Sequence, residues 1–200
     1  MAINAGIDST QQAAQTPNHS VHLSSDERLE RLEQKLHLLE ETTPRTNKIT
    51  LLVFSGELDK VLAGLMIATT ASSMGMNVTV FFTFWGINAL KEKHSYAGKD
   101  IKERMLDMMT PAGAESMGVS QLNMLGAGRI MLKQMMKDKA IVSAEELLEL
   151  ARESGVRLVA CSMTMQVMGI REEGLMKDIE IAGAASYLVD ASRSGCTLFI

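Results

Sequence analysis

From Lys48 onward, short apolar runs alternate with longer segments of helical spacing. Lys48 to Phe54 (KITLLVF) is β-branched and apolar with no charge after Lys48, the pattern of a strand buried on both faces. Ser55, Gly56, Glu57, Leu58 and Asp59 supply turn and N-cap chemistry, and Lys60 to Met74 predicts a helix ending near Gly75. Asn77 to Phe84 (NVTVFFTF) predicts a second strand, closed by Trp85 and Gly86. Ser143 and Glu146 predict a capping box for a helix through Leu147, Leu148 and Leu150 that Gly155 ends. Val156 to Ala160 (VRLVA) predicts a third strand that delivers the chain into Cys161, after which Ser162 to Met168 turns into a helix stopping at Gly169. A helix near Gly183 to Ala191 and a last strand over Thr197 to Ile200 follow. Alternating strands and helices with right-handed crossovers predict an α/β three-layer sandwich, a parallel sheet of four to five strands with helices on both faces.

Two segments depart from this alternation. Residues 1–47 carry 4 basic and 7 acidic groups and read as an appendage to a domain over residues 48–200. Residues 1–23 lack apolar periodicity and are expected to be largely disordered. Beyond them, Ser24 with Glu27 forms a capping box ahead of Leu29, Leu32, Leu36 and Leu39, a short leucine-seamed helix that either oligomerises or docks on its own domain. Residues 91–142 form a helical insertion holding half of the 16 methionines, with helices expected over Asp100 to Met109 and Ser120 to Lys139. These thioethers pack a core or supply an adaptable interface.

The 30 consecutive uncharged positions between Lys60 and Lys91 are long enough to cross a bilayer. Gly75, Asn77 and the β-rich run interrupt the helical pattern in mid-segment, so a buried helix and strand are the expected reading and a transmembrane span is disfavoured. With 20 basic against 24 acidic residues, electrostatically driven nucleic-acid binding is also disfavoured. Two cysteines are too few for a disulfide framework and no signal sequence opens the chain, so the reducing cytoplasm is the expected compartment.

Ligands of open α/β sheets bind beyond the carboxyl ends of the strands, which selects three loops: Ser55 to Asp59, Trp85–Gly86 and Cys161–Ser162. Cys161 is the strong nucleophile among them. A thiol at a strand end that opens a helix faces backbone N–H groups and the positive end of the helix dipole, both of which stabilise thiolate. As a small apolar residue, Cys161 could equally be inert core, and Cys196, at the amino end of the last strand, reads as structural. The glycine spacing of SGELDK fits no nucleotide loop, and His19, His22, His37 and His94 lack spaced partners for zinc; hydrolysis with His94 as base is disfavoured. Cys161 with Met163, Met165 and Met168 forms a soft sulfur set that could bind copper(I), although core packing accounts for the methionines more simply. No cofactor is expected. A thiolate without a base can attack a sulfane sulfur and hold it as a persulfide.

VFSGELDKVLAGLMIATTASSMGMNVTVFFTFWG, NMLGAGRIMLKQMM, VRLVACSMTMQVMGI, and the ending ASYLVDAS with TLFI resemble the DsrE/DsrF-like sulfurtransferase family, in its longer branch with a Met-rich insertion, sometimes labelled peroxiredoxin-like. The likeness covers about residues 48–200. It implies a flavodoxin-like sheet, a homo-oligomer, and sulfur relay through a persulfide or thiosulfonate on Cys161. Ser55, Gly56, Trp85, Gly86 and Ser162 would shape the pocket, and the implied partner is a TusA-like sulfur carrier or a rhodanese. Some relatives place a second cysteine a few residues beyond the first; here Gln166 to Arg171 occupy that stretch, which argues against two thiols on one loop. The competing reading is a non-catalytic assembly protein whose leucine seam and methionine-rich helices build an oligomer and dock a membrane or redox partner.

Overall fold

The computed structural model describes residues 24–42, 45–92, 101, 105, 108–121 and 124–200. The chain divides into two compact units, Met1–Thr42 and Thr43–Ile200. Within the first, helix α1 spans Ser25–Thr42. It opens on the expected capping box: the Ser24 amide donates to the Glu27 carboxylate at 2.8 Å and the Glu27 amide to the Ser24 hydroxyl at 3.2 Å. The tail over residues 1–23 and His94 lie outside the described residues.

The second unit is built on a five-stranded sheet of β1 (Arg45–Val53), β2 (Asn77–Phe82), β3 (Arg157–Cys161), β4 (Glu180–Ala182) and β5 (Ser194–Phe199). The order is β4-β3-β2-β1-β5 and every neighbouring pair is parallel. The connections from β1 to β4 step in one direction, whereas the β4–β5 connection runs back across the sheet. Right-handed crossovers then require the returning helix on the opposite face. Accordingly α2 (Leu58–Ser73) and α4 (Ala144–Glu153) pack on one face, with Ile49, Leu51, Val53, Val80, Phe82 and Leu158 beneath them. On the other face, Tyr187 of α6 (Ala184–Ser192) packs with Leu52, Phe81, Val159 and Cys161. This is the three-layer α/β sandwich the alternation predicts, in the flavodoxin-like arrangement the resemblance implies.

The uncharged run between Lys60 and Lys91 is α2, β2 and a 3-10 helix over Phe84–Leu90, and among the described residues no helix is long and apolar enough to cross a membrane. Several boundaries differ from the pattern-based expectation. β1 begins at Arg45 rather than Lys48, and β5 at Ser194 rather than Thr197. The two extensions share a cause, because Arg45 pairs with Ser194 and the buried Ser194 and Thr50 hydroxyls bond each other at 2.7 Å, so polar residues lie inside the sheet. β4, only three residues long, carries too short a pattern to be predicted as a strand and is an addition to the expected set. In the insertion, α3 occupies only Ala127–Asp138 of the expected Ser120 to Lys139 helix. Ser120 is diverted because its amide and hydroxyl both donate to Asp59 of α2, at 2.8 and 2.5 Å, tying the insertion to the loop after β1. The helix expected over Asp100 to Met109 lies mostly outside the described residues.

Candidate functional site

β3 ends on Cys161, which also stands as the N-cap of α5 (Ser162–Met168). The strand is apolar because it is the second from the edge and covered on both faces; α5 follows at once and stops at Gly169, whose φ of 63° is the left-handed conformation that glycine adopts without cost. The Cys161 side chain points to the α6 face and is buried, with the residue 6% exposed.

In the β2–β3 pairing, Phe82 lies opposite Ala160, so the next residue, Thr83, comes alongside Cys161. Thr164, one turn into α5, completes the group: its Oγ1 lies 2.9 Å from Thr83 Oγ1 and accepts the Phe84 amide at 3.2 Å. Each hydroxyl has one proton. One of the pair donates to the other, which leaves one O–H for the sulfur. Burial alone pushes the Cys161 thiol up, but the backbone N–H and hydroxyl of Thr164, the Thr83 hydroxyl and the Met163 N–H outweigh it, and the thiol is held below its ordinary value. Cys161 is therefore a shielded thiol with its donors already arranged.

Neither threonine was singled out by sequence reasoning. Threonine in a strand reads as a β-former, and threonine in a short helix reads as neutral. The available signal was the position of Thr83 at the carboxyl end of an apolar strand and of Thr164 three residues past the cysteine.

The other candidates form a second cluster around the ends of β1 and β2. Ser55 is buried and its hydroxyl donates to Glu57 at 2.9 Å, where Lys60 also pairs. Gly56 lies against Trp85, since a Cβ there would come within 2.8 Å of the Trp85 Cβ. Gly86 is tighter still, with an added Cβ only 2.3 Å from the Val53 carbonyl oxygen, and its amide donates to the Phe54 and Thr83 carbonyls at 3.0 Å each. The two glycines thus bring the loops after β1 and β2 into backbone contact, and the Thr83 end of β2 joins this cluster to Cys161. Between them Phe84 takes a φ of 45°, a conformation uncommon outside glycine, and leaves its ring exposed beside the exposed Trp85. Ser162 turns away from this cluster, its Oγ lying toward Gly183 at the end of β4.

The soft sulfur set is divided. Met165 and Met168 pack into the core on the α2 and α4 side, Cys161 belongs to the α6 side, and Met163 is exposed. Among the described residues no group of three or more His, Cys, Asp or Glu residues is placed to hold a metal ion. Cys196 pairs with Ile49 on the edge strand and is solvent-exposed, so packing in the core does not account for it. A cavity of about 1180 Å³ lies between α3 and α4, lined by Leu62, Lys91, Lys133, Met136 and Glu145 among others, and Cys161 does not line it. Cys161 and this cavity are separate features of the described structure.

A parallel α/β domain with a shielded, acid-shifted thiol at the start of a helix on the carboxyl edge of the sheet has the geometry in which a cysteine sulfur can carry chemistry. The chain belongs to the DsrE/DsrF/DrsH-like family, which residues 45–199 match. It is 43% identical over 159 residues to the uncharacterized protein YrkE of Bacillus subtilis, an alignment spanning 79% of this chain and 99% of that protein. It is 32% identical over 157 residues to the sulfur carrier protein DsrE2 of Allochromatium vinosum, across 76% of this chain and 98% of that one.

Proposed function

We propose that this protein is a sulfur-relay protein, a carrier or sulfurtransferase, whose Cys161 thiolate takes sulfane sulfur from one protein and gives it to another. The observation that carries the reading is the Cys161 environment: a buried sulfur, two backbone N–H groups at the start of α5, and a hydroxyl pair that supplies one further donor. Support also comes from the family and from a relative named as a sulfur carrier.

In the loading step the Cys161 thiolate attacks the outer sulfur of a donor persulfide. The new bond joins Sγ to that sulfur, the donor's S–S bond breaks, and the donor leaves as a thiolate that takes up a proton, with no net oxidation. With tetrathionate the same attack leaves a thiosulfonate on Cys161 and expels thiosulfate. In the unloading step an acceptor thiolate attacks the outer sulfur and Cys161 leaves as thiolate, which the same donors stabilise. Trp85 and the two glycines shape the approach, Ser55 braces the first loop, and Ser162 borders the side toward Gly183. The partner that supplies or receives the sulfur is a TusA-like carrier or a rhodanese, and the protein works as a homo-oligomer in the cytoplasm.

Intact-protein mass spectrometry after exposure to polysulfide or tetrathionate tests the reading. The adduct is expected on wild type and on Cys196→Ser and absent from Cys161→Ser. An adduct confined to Cys196, or none on either thiol, overturns it.

A further inference from the structure

The family match begins at residue 45, and the two relatives are covered almost end to end by alignments that leave about a fifth of this chain unmatched. Helix α1 lies outside the family match, so the domain's chemistry does not explain it. Leu29, Leu32, Leu36 and Leu39 recur at spacings of three, four and three and are each 58 to 63% exposed. A single face of leucine presented to water costs about 1.5–3 kcal/mol per side chain relative to burial.

The charges beside this stripe are ordered. With Leu29 and Leu36 as the a positions and Leu32 and Leu39 as the d positions of a heptad, the flanking g positions are Arg28 and Lys35, and the flanking e positions are Glu33 and Glu40. Both g residues are basic and both e residues acidic. In a parallel pair each g residue meets the e residue five positions on in the other helix, so Arg28 meets Glu33 and Lys35 meets Glu40, twice each by symmetry. In an antiparallel pair g meets g and e meets e, and every such contact sets like charges together.

We infer that α1 is a parallel self-association helix, and that its occupant is α1 of a second copy of this chain. The leucine stripe supplies the buried seam and the Arg28–Glu33 and Lys35–Glu40 pairs select both the partner and its direction. The helix is only 18 residues long, marginal alone, so seam and folding are coupled. This assembly is independent of the sulfur reading and would stand if that reading fell.

The test uses the full chain with both native cysteines replaced, Cys161→Ser and Cys196→Ser, and one thiol added at Ser25→Cys, a d position near the helix start. Parallel pairing sets the two introduced thiols side by side, and mild oxidation is expected to give a disulfide-linked dimer. Antiparallel pairing would hold them about 25 Å apart. Adding Leu32→Asp and Leu36→Asp is expected to abolish the cross-link. Reversing the g charges with Arg28→Glu and Lys35→Glu is expected to lose it too, and mixing that protein with one carrying Glu33→Lys and Glu40→Lys to restore it. No cross-link in the parent, a cross-link that survives the leucine changes, or one insensitive to charge reversal overturns the inference.

Discussion

Thr83 and Thr164 put a number on what a pair of hydroxyls does for a thiol. Replacing either by valine keeps the volume and removes an O–H, and a hydrogen bond to a charged group is worth about 1.5–3 kcal/mol, while about 1.4 kcal/mol is tenfold in an equilibrium. Thr164→Val is therefore expected to slow alkylation of Cys161 at pH 7 on the order of tenfold, since Thr164 contributes both the direct contact and the acceptor for the Phe84 amide. The pH profile checks the cause. In the wild type the rate should rise through a midpoint below that of free cysteine, and in Thr83→Val and Thr164→Val the midpoint should move upward; an unmoved midpoint would leave the hydroxyls without a role. The sign for stability is that of an acid whose ionised form is favoured on folding. The contribution is complete above the free thiol's pKa and is lost as pH falls through the lowered folded value.

Among the elements, α6 is held across its face of the sheet by charge as much as by packing. Asp190 accepts Lys48 at 2.5 Å and Arg157 at 2.9 Å, and Arg157 also pairs with Glu180, so one carboxylate ties α6 to β1 and β3. Burial opposes its ionisation, but Lys48 and Arg157 prevail and hold the carboxyl below its ordinary range. Asp190→Asn is expected to destabilise the domain by about 1–3 kcal/mol, measured by urea unfolding, and the wild-type advantage should persist at neutral pH and fade only as pH drops through that lowered value. Gly86→Ala is expected to cost at least about 2 kcal/mol, because the Cβ meets a backbone carbonyl that β1 cannot withdraw. The strands that could be read from the sequence were β1, β2 and β3, whose cores are apolar on both faces, and the apolar close of β5. The starts of β1 and β5 could not, because Arg45 and Ser194 become strand residues only by pairing with each other, and Ser194 is buried only through its bond to Thr50, whereas a serine beside a glycine in a sequence reads as loop. Cys161 was visible because strand end and helix start coincide there; its threonine partners were not, because they become neighbours only through the β2–β3 register.

At the scale of the whole molecule, a domain common to the family and a helix outside the family match share one chain. A chain beginning at Thr43 is expected to keep the tetrathionate adduct on Cys161, read by mass, because all of the thiol's donors lie within the second unit. The strand order, with one return crossover, places the nine-residue helix α6 over the face that carries the thiol.

That burial makes the thiol a sieve. Electrophiles meeting the thiol of a residue only 6% exposed are expected to be ranked by girth as well as by reactivity, with slender linear chains of sulfur atoms reaching it ahead of branched reagents. A series running from iodoacetamide to bulky maleimides should therefore fall out of its solution order on Cys161 and keep that order on the exposed Cys196. On the sulfur-relay proposal, a protein delivering sulfur to Cys161 is expected to present it on a narrow projection, with its own fold held back at the rim.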